Sequence, residues 1–278
     1  MSASSSDESP AALAGARPPG AIRRLVDAAL PPPLSVWRFD LDDAGWDAGL
    51  HALSVEEQDR AARFARPLDA RRYRRAHVAT RWLLGRACGI APGALQWASN
   101  RFGKPHLVAS TGGSAACRWG PSFSLSHSEA HGLLVIGGEA GPNVAIAVGA
   151  DIEVLRRVDD LELMAASQLH PRERHAWAAL PEAQRERAFL RAWTRKEASV
   201  KAIGAGLSIA ARDVEVGLGA VGLDRAARQF ETAAIVDHTA FADLAAPPSL
   251  TVLSFDEDRA CLVAVAFGFT PPHSAADF

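Results

Sequence analysis

Apolar residues along this chain change their spacing several times, and each change predicts an element. Leu34 to Leu41 (LSVWRFDL) alternates apolar and polar positions, the period-two mark of a half-buried strand. Asp42 to Leu53 predicts a helix. Ser54 to Ala87 is helix-rich, and Pro67 and Asp69 divide it in two, with Asp69 suited to cap the second segment. Ala79, Trp82, Leu83 and Leu84 make the apolar side of that second helix, and Gly89 is its stop. A short apolar stretch at Leu95 to Ala98, a turn at Phe102 to Pro105 and a polar loop through Gly112 and Gly113 follow. Phe123 to Ser126, Gly132 to Gly137 and Val144 to Val154 then read as three strands.

A second long helix follows, with Pro181 suited to its first position, where the missing N–H is not needed. Its stretch from Phe189 to Leu207 puts Leu190, Trp193, Glu197, Val200 and Lys201 on one side, and Gly204 supplies the stop. Leu190, Trp193 and Val200 predict a core-facing stripe, but a carboxylate turned the same way costs several kcal/mol unless a charge meets it. Asp213 to Leu218, Leu250 to Phe255 and Ala260 to Phe269 complete the chain as strands. Twice over, a long helix with a glycine stop precedes several strands. The expected class is therefore α+β, in two similar α/β-sandwich-like halves. A lead-in at 1–20, one half at 21–140 and another at 141–278 are the expected divisions, joined near Gly138 to Asn143.

Composition narrows the function. The chain has 278 residues, 48% of them hydrophobic, and a formal net charge of −2, which argues against a general nucleic-acid binder. Three scattered cysteines, Cys88, Cys117 and Cys261, make neither a disulfide framework nor a thiolate metal site and suit a reducing cytoplasm. The acidic start with Asp7 and Glu8 does not read as a signal peptide, and the longest apolar run, Ala260 to Phe269, is too short to span a membrane.

Candidate chemistry sits at four places. Asp151 and Glu153 stand two apart in GADIE, so a strand puts both carboxylates on one face. With Glu197 they form a set of hard oxygen donors that suits Mg²⁺, or Mn²⁺ in its place. FSLSHS at 123–128 ends a strand in hydroxyls and an imidazole, Ser126 and His127 among them, which suit a phosphate oxygen. Gly103-Lys104-Pro105 is a turn that presents a lysine. Neither a phosphate loop nor a dinucleotide fingerprint occurs, and no G-x-S-x-G elbow supports a serine hydrolase. His127 and His131 do not make a zinc pair.

Taken in order, Lys104 in GKP, His127 in FSLSHS, Asp151 and Glu153 in GADIE, and Glu197 with Lys201 in WTRKEASVK resemble the 4′-phosphopantetheinyl transferase superfamily. More closely they resemble its surfactin-type branch, in which two similar halves related by pseudo-two-fold symmetry are fused. Ala150 stands where that family usually has Ile or Val. The resemblance implies Mg²⁺-dependent transfer of the phosphopantetheine arm of coenzyme A to a serine of an acyl or peptidyl carrier protein, releasing 3′,5′-ADP. It implies Asp151, Glu153 and Glu197 as metal ligands, and Lys104, Ser126 and His127 on the coenzyme A phosphates. By motif position Arg60 and Arg72 fall near the adenosine 3′-phosphate. Since one helical turn separates Glu197 and Lys201, the expectation is that Glu197 acts as base while Lys201 meets coenzyme A and the departing 3′,5′-ADP. An acidic helical carrier domain is the expected partner, and a monomer the expected state. A catalytically silent coenzyme A or carrier-protein binding module is the competing expectation, and a different Mg²⁺-dependent phosphoryl transferase a third.

Overall fold

A computed structural model of the chain describes residues 17–25, 34–108, 121–138, 145–219, 230–235, 250–257 and 260–270. Most of the expected lead-in, the segment ending at Pro31 to Pro33, the loop through Gly112 and Gly113, and most of the expected joint lie outside the described residues. The strands are β1 (Ile22–Leu25), β2 (Ser35–Asp40), β3 (Trp97–Ser99), β4 (Pro105–Leu107), β5 (Ser122–Ser128), β6 (His131–Gly137), β7 (Ala145–Val154), β8 (Val214–Glu215), β9 (Phe230–Ile235), β10 (Leu250–Asp256) and β11 (Cys261–Thr270). The α-helices are α1 (Val55–Ala62), α2 (Pro67–Cys88), α3 (Leu161–Gln168), α4 (Pro171–Ala178) and α5 (Glu182–Ile203). The fold is mixed α+β, as the periodicities predict.

Two antiparallel sheets form the centre. One has the order β1-β2-β6-β5 and the other β7-β11-β10-β9-β8, with β3 and β4 as a separate hairpin. Leu34, Val36, Leu133 and Val135 of the first sheet pack on Ile146, Val148, Ile152, Val263 and Val265 of the second. Each such side chain contributes roughly 1.5–3 kcal/mol when fully buried. Neither sheet covers this apolar face without the other. Outside them lie the long helices. Ala76, Ala79 and Leu83 of α2 pack with Phe39, Leu134 and Ile136, while Ala198 and Ala202 of α5 pack with Val252, Ala264 and Ala266. The layers therefore run helix, sheet, sheet, helix.

Local chemistry sets most boundaries, with four departures from expectation. The stretch divides in two at Pro67 as expected, its fixed φ suiting a first helical position, but Arg66 and not Asp69 is the cap, and Asp69 lies in the first turn of α2. Pro181 is the residue before α5 and not its first. The predicted helix at Asp42 to Leu53 is a 3-10 helix, Ala44–Ala52, whose first turn Asp43 caps through Gly45 N. Finally, Leu190 is buried, but Trp193 and Val200 are only half-buried, and the deepest face of α5 carries Ala188, Ala192, Arg195, Lys196 and Ser199. The helices α3 and α4 have no counterpart in the periodicity reading, since each is only two turns long.

Candidate active site

The site lies where β5 and β7, the facing edges of the two sheets, run side by side. The two strands belong to separate sheets, and side chains bridge them. Ser124 Oγ accepts from Ala150 N at 3.0 Å, and Ser128 Oγ accepts from Val154 N at 3.2 Å. Both spacings advance by four residues, so the strands are parallel and the hydroxyls serve N–H groups that a ladder would otherwise satisfy. Between them, Ser126 Oγ donates to Asp151 Oδ1 at 2.8 Å, and Ser128 Oγ donates to Glu153 Oε2 at 3.2 Å.

The opposite wall is α5, brought unusually close. A Cβ on Gly149 would lie 1.9 Å from the Ala198 carbonyl oxygen and 2.4 Å from Ala202 N, so only glycine admits the helix at this distance. Period two puts Gly149, Asp151 and Glu153 on that same face. Lys201 Nζ consequently meets Asp151 Oδ1 at 2.6 Å and Ser126 Oγ at 3.0 Å. The rotation of α5 is held from behind. Lys196 Nζ pairs with Glu173 Oε2 at 2.6 Å, both side chains essentially buried. Glu173 also accepts from Val216 N at 2.7 Å, Gly217 N at 3.1 Å and His170 N at 2.9 Å. With Lys196 anchored, the Trp193, Glu197 and Lys201 side of the helix is left facing β7.

Electrostatics identify a cluster short of positive charge. Desolvation raises the pKa of Asp151, with Lys201 and Ser126 pulling the other way. Desolvation and then the Asp151 charge raise Glu153, opposed by hydrogen bonds from Ser128 and Trp193 and by the Arg156 charge. Glu197 is raised by desolvation and by Asp151, with Glu153 adding to it and Lys201 opposing. One carboxylate oxygen, Asp151 Oδ2, is buried with no hydrogen-bond partner. Such an orphan is costly unless something cationic meets it.

These residues fit a hard divalent cation by donor type, by mutual repulsion and by the orphaned oxygen. The cluster is nevertheless open. Among the described residues no three His, Cys, Asp or Glu side chains already stand in a metal-holding arrangement. Asp151, Glu153 and Glu197 feel one another's charge, while Lys201 rests on Asp151.

The remaining predicted residues are placed less uniformly. His127 is exposed at the end of β5. Crowding by surrounding protein, and then the Lys201 charge, hold its imidazole below the ordinary value. Lys104 does not reach the carboxylates: its Nζ donates to Val148 O at 3.1 Å and Ala202 O at 2.9 Å, and desolvation lowers its pKa to about 8. Arg72 grips Asp42 with two bonds of 2.9 and 2.7 Å, and Arg60 stands over the Tyr73 ring at 5.8 Å. Neither contacts the carboxylate cluster, though the Arg72 charge acts on His127. Sequence reasoning included Ser128 among the hydroxyls of FSLSHS but gave it no carboxylate partner, and it did not single out Ser124 or Gly149. It placed Trp193 on a core-facing stripe, whereas Trp193 is half-buried and draws the Glu153 pKa down. The serines at every second position of β5 were a legible signal, since period two places them on one face.

Comparison with known proteins gives this geometry a family. The sequence profile of the 4′-phosphopantetheinyl transferase superfamily matches residues 147–246, the stretch that carries the acids and α5. The 4′-phosphopantetheinyl transferase HetI of Nostoc sp. is 31% identical over 241 residues, covering 85% of this chain and 89% of that protein. The putative 4′-phosphopantetheinyl transferase slr0495 of Synechocystis sp. is 31% identical over 156 residues, 56% of this chain and 58% of its own. The 4′-phosphopantetheinyl transferase pptA of Paxillus involutus is 28% identical over 198 residues, 66% of this chain and 73% of its own. The chain belongs to the 4′-phosphopantetheinyl transferase superfamily.

Proposed function

We propose that the chain transfers the 4′-phosphopantetheine arm of coenzyme A to a serine of an acyl or peptidyl carrier protein, with Mg²⁺ or Mn²⁺ held by Asp151, Glu153 and Glu197. The observation that carries this reading is the buried, unpartnered Asp151 Oδ2 inside a cluster of carboxyls that all lean toward protonation. Family membership supports the same chemistry. When bound, a divalent ion supplies positive charge to the diphosphate oxygens.

The chain's own residues do the rest. Glu197 takes the proton of the carrier serine hydroxyl, directly or through a water; its raised pKa suits a group that must hold that proton. The serine oxygen bonds to the phosphorus that bears pantetheine. The bond from that phosphorus to the bridging oxygen breaks, and 3′,5′-ADP leaves with the electron pair. Lys201, one helical turn from Glu197, neutralises the departing group. His127, exposed beside Lys201, contacts a coenzyme A phosphate. Lys104 joins it only by leaving its two carbonyls, and Arg60 and Arg72 take the adenosine 3′-phosphate side.

An acidic carrier domain meets the exposed arginines that run from Arg60 through Arg63 and Arg66 to Arg71. A single chain acting in the cytoplasm, of the surfactin type and built as a lead-in at 1–20 with halves at 21–140 and 141–278, completes the reading. No helix among the described residues is long and apolar enough to cross a membrane.

The test is a panel of apo carrier proteins incubated with coenzyme A and Mg²⁺ and weighed by mass spectrometry. Gain of one phosphopantetheine on at least one carrier, lost on chelation of the metal, is expected. Coenzyme A binding with no mass gain across fatty-acid, polyketide and peptide carriers overturns the reading in favour of a silent binding module.

A further inference from the structure

Two hydroxyls on β5 stand opposite two carboxylates on β7 with the same spacing. Ser126 donates to Asp151 and Ser128 donates to Glu153. Each pair is two residues apart on its strand, and the strands run parallel, so one register sets both contacts. We propose that Ser126 and Ser128 are positioning residues that orient the Asp151 and Glu153 carboxylates for the metal ion. This rests on the metal reading given under Proposed function. It adds a role toward the carboxylates to the hydroxyls of β5.

The argument is one of valence. Asp151 Oδ1 is held by Ser126 Oγ at 2.8 Å and Lys201 Nζ at 2.6 Å, which pins the carboxylate plane and leaves Oδ2 as the buried oxygen without a partner. Asp151 is 5% exposed, so water does not serve Oδ2 freely. Ser128 does two things at once: it takes the Val154 N–H and gives its own proton to Glu153. A hydroxyl that accepts from the backbone is polarised toward donating, and its position is fixed by the strand, not by a rotamer alone. Ligands held from behind in this way bind metal more tightly, because less freedom is lost when the ion arrives.

Ser124 supplies the control. It accepts from Ala150 N at 3.0 Å across the same seam but donates to neither carboxylate. A merely structural role for the serine row predicts that Ser124 and Ser128 behave alike. A positioning role predicts that they differ.

The experiment titrates Mn²⁺ into the full-length protein in the presence of coenzyme A, reading bound ion by electron paramagnetic resonance and stability by melting temperature. Ser128→Ala is expected to weaken Mn²⁺ binding about tenfold, in the range found when the outer partners of metal ligands are removed. Ser128→Thr, which keeps the hydroxyl, restores it. Ser124→Ala lowers the melting temperature by an amount similar to Ser128→Ala but leaves Mn²⁺ affinity unchanged. Equal weakening by Ser124→Ala and Ser128→Ala, or a folded Ser128→Ala protein with wild-type affinity, overturns the assignment. A wild-type protein that holds no Mn²⁺ at all instead removes the metal reading beneath it. Wild-type binding with an indifferent Ser128→Ala removes only the serine assignment.

Discussion

The helices α2 and α5 each run 22 residues and stop on a left-handed glycine, Gly89 at φ 67° and Gly204 at φ 78°. Eight residues before each stop stands a buried cation, Arg81 in one and Lys196 in the other. Each cation meets a buried glutamate from the first turn of a short preceding helix, Arg81 Nε with Glu57 at 2.7 Å and Lys196 Nζ with Glu173 at 2.6 Å. Each glutamate also accepts the backbone N–H three residues before it, from Ser54 and from His170. Even the strands end alike: Leu41 N bonds Ala130 O, and Leu155 N bonds Ala260 O, both at 2.7 Å.

That shared wiring lets positions be matched by counting, and the match shows where the two regions diverge. Counting back from Leu41 and Leu155, Trp37 and Phe39 stand where Asp151 and Glu153 stand. Counting back from the glycine stops, Trp82 stands where Glu197 stands and Arg86 where Lys201 does. Phe39 and Trp82 are buried in the N-terminal core, with Trp37 packed against it. The same frame thus carries three aromatic rings on one side and three carboxyls on the other. The rings bury area and stabilise; the carboxyls repel, resist ionisation and leave an orphaned oxygen. Stability is surrendered at the three carboxyls, the mark of a functional site. The correspondence also supports reading the chain as two similar halves.

The comparison breaks most visibly at Glu197 and Trp82. Glu197→Gln is expected to lower phosphopantetheine transfer about 10²–10⁴-fold, the span of a lost general base. Its melting temperature should be unchanged or higher, since Asp151 and Glu153 oppose the Glu197 charge. Trp82→Ala should instead cost ~3–5 kcal/mol in urea denaturation. Normal turnover by Glu197→Gln under saturating Mg²⁺ would end the assignment of the acidic trio.

A second pair sharpens the likeness. Lys196→Met leaves Glu173 buried with backbone donors and should lose ~3–5 kcal/mol in the same assay. Arg81→Met leaves Glu57 paired with His77 Nδ1 at 2.7 Å and should lose less. Adding Glu173→Gln to the first and Glu57→Gln to the second should recover part of the loss in both. Equal losses on the two sides would show that His77 does not stand in for Arg81 at Glu57.

The smallest effect concerns the strap between the regions, Lys104, which reaches across to Val148 and Ala202. Its folded pKa of about 8 lies below the ordinary 10.5, so the unfolded chain holds the proton more tightly. Its contribution to stability therefore rises with pH from about 8 to 10.5. Lys104→Met should flatten that rise in melting temperature measured against pH, and an unchanged slope would show that the ammonium is well solvated.

Periodicity and capping were legible without coordinates because they depend on neighbours a few residues away. Both long helices, their glycine stops, the strand pair around Gly132 and the common face of Asp151 and Glu153 follow from such spacing. Val200 packs against the core as its place on the stripe predicts, but Trp193 sits beside Glu153, because an apolar stripe does not say whether each of its positions meets a core or the wall of a cleft. The Lys104 contacts to Val148 O and Ala202 O were not legible, because a turn in sequence carries no information about which carbonyls lie above it.

The sequence alone determined the residue types of the site, the faces they share and the family they resemble. Tertiary structure decided that α5 lies tight against Gly149, that Lys201 settles on Asp151, and that hydroxyls of β5 reach across to the acids of β7. The reason is physical: helix and strand faces are set by local geometry, whereas which charge meets which depends on how closely distant backbones can approach.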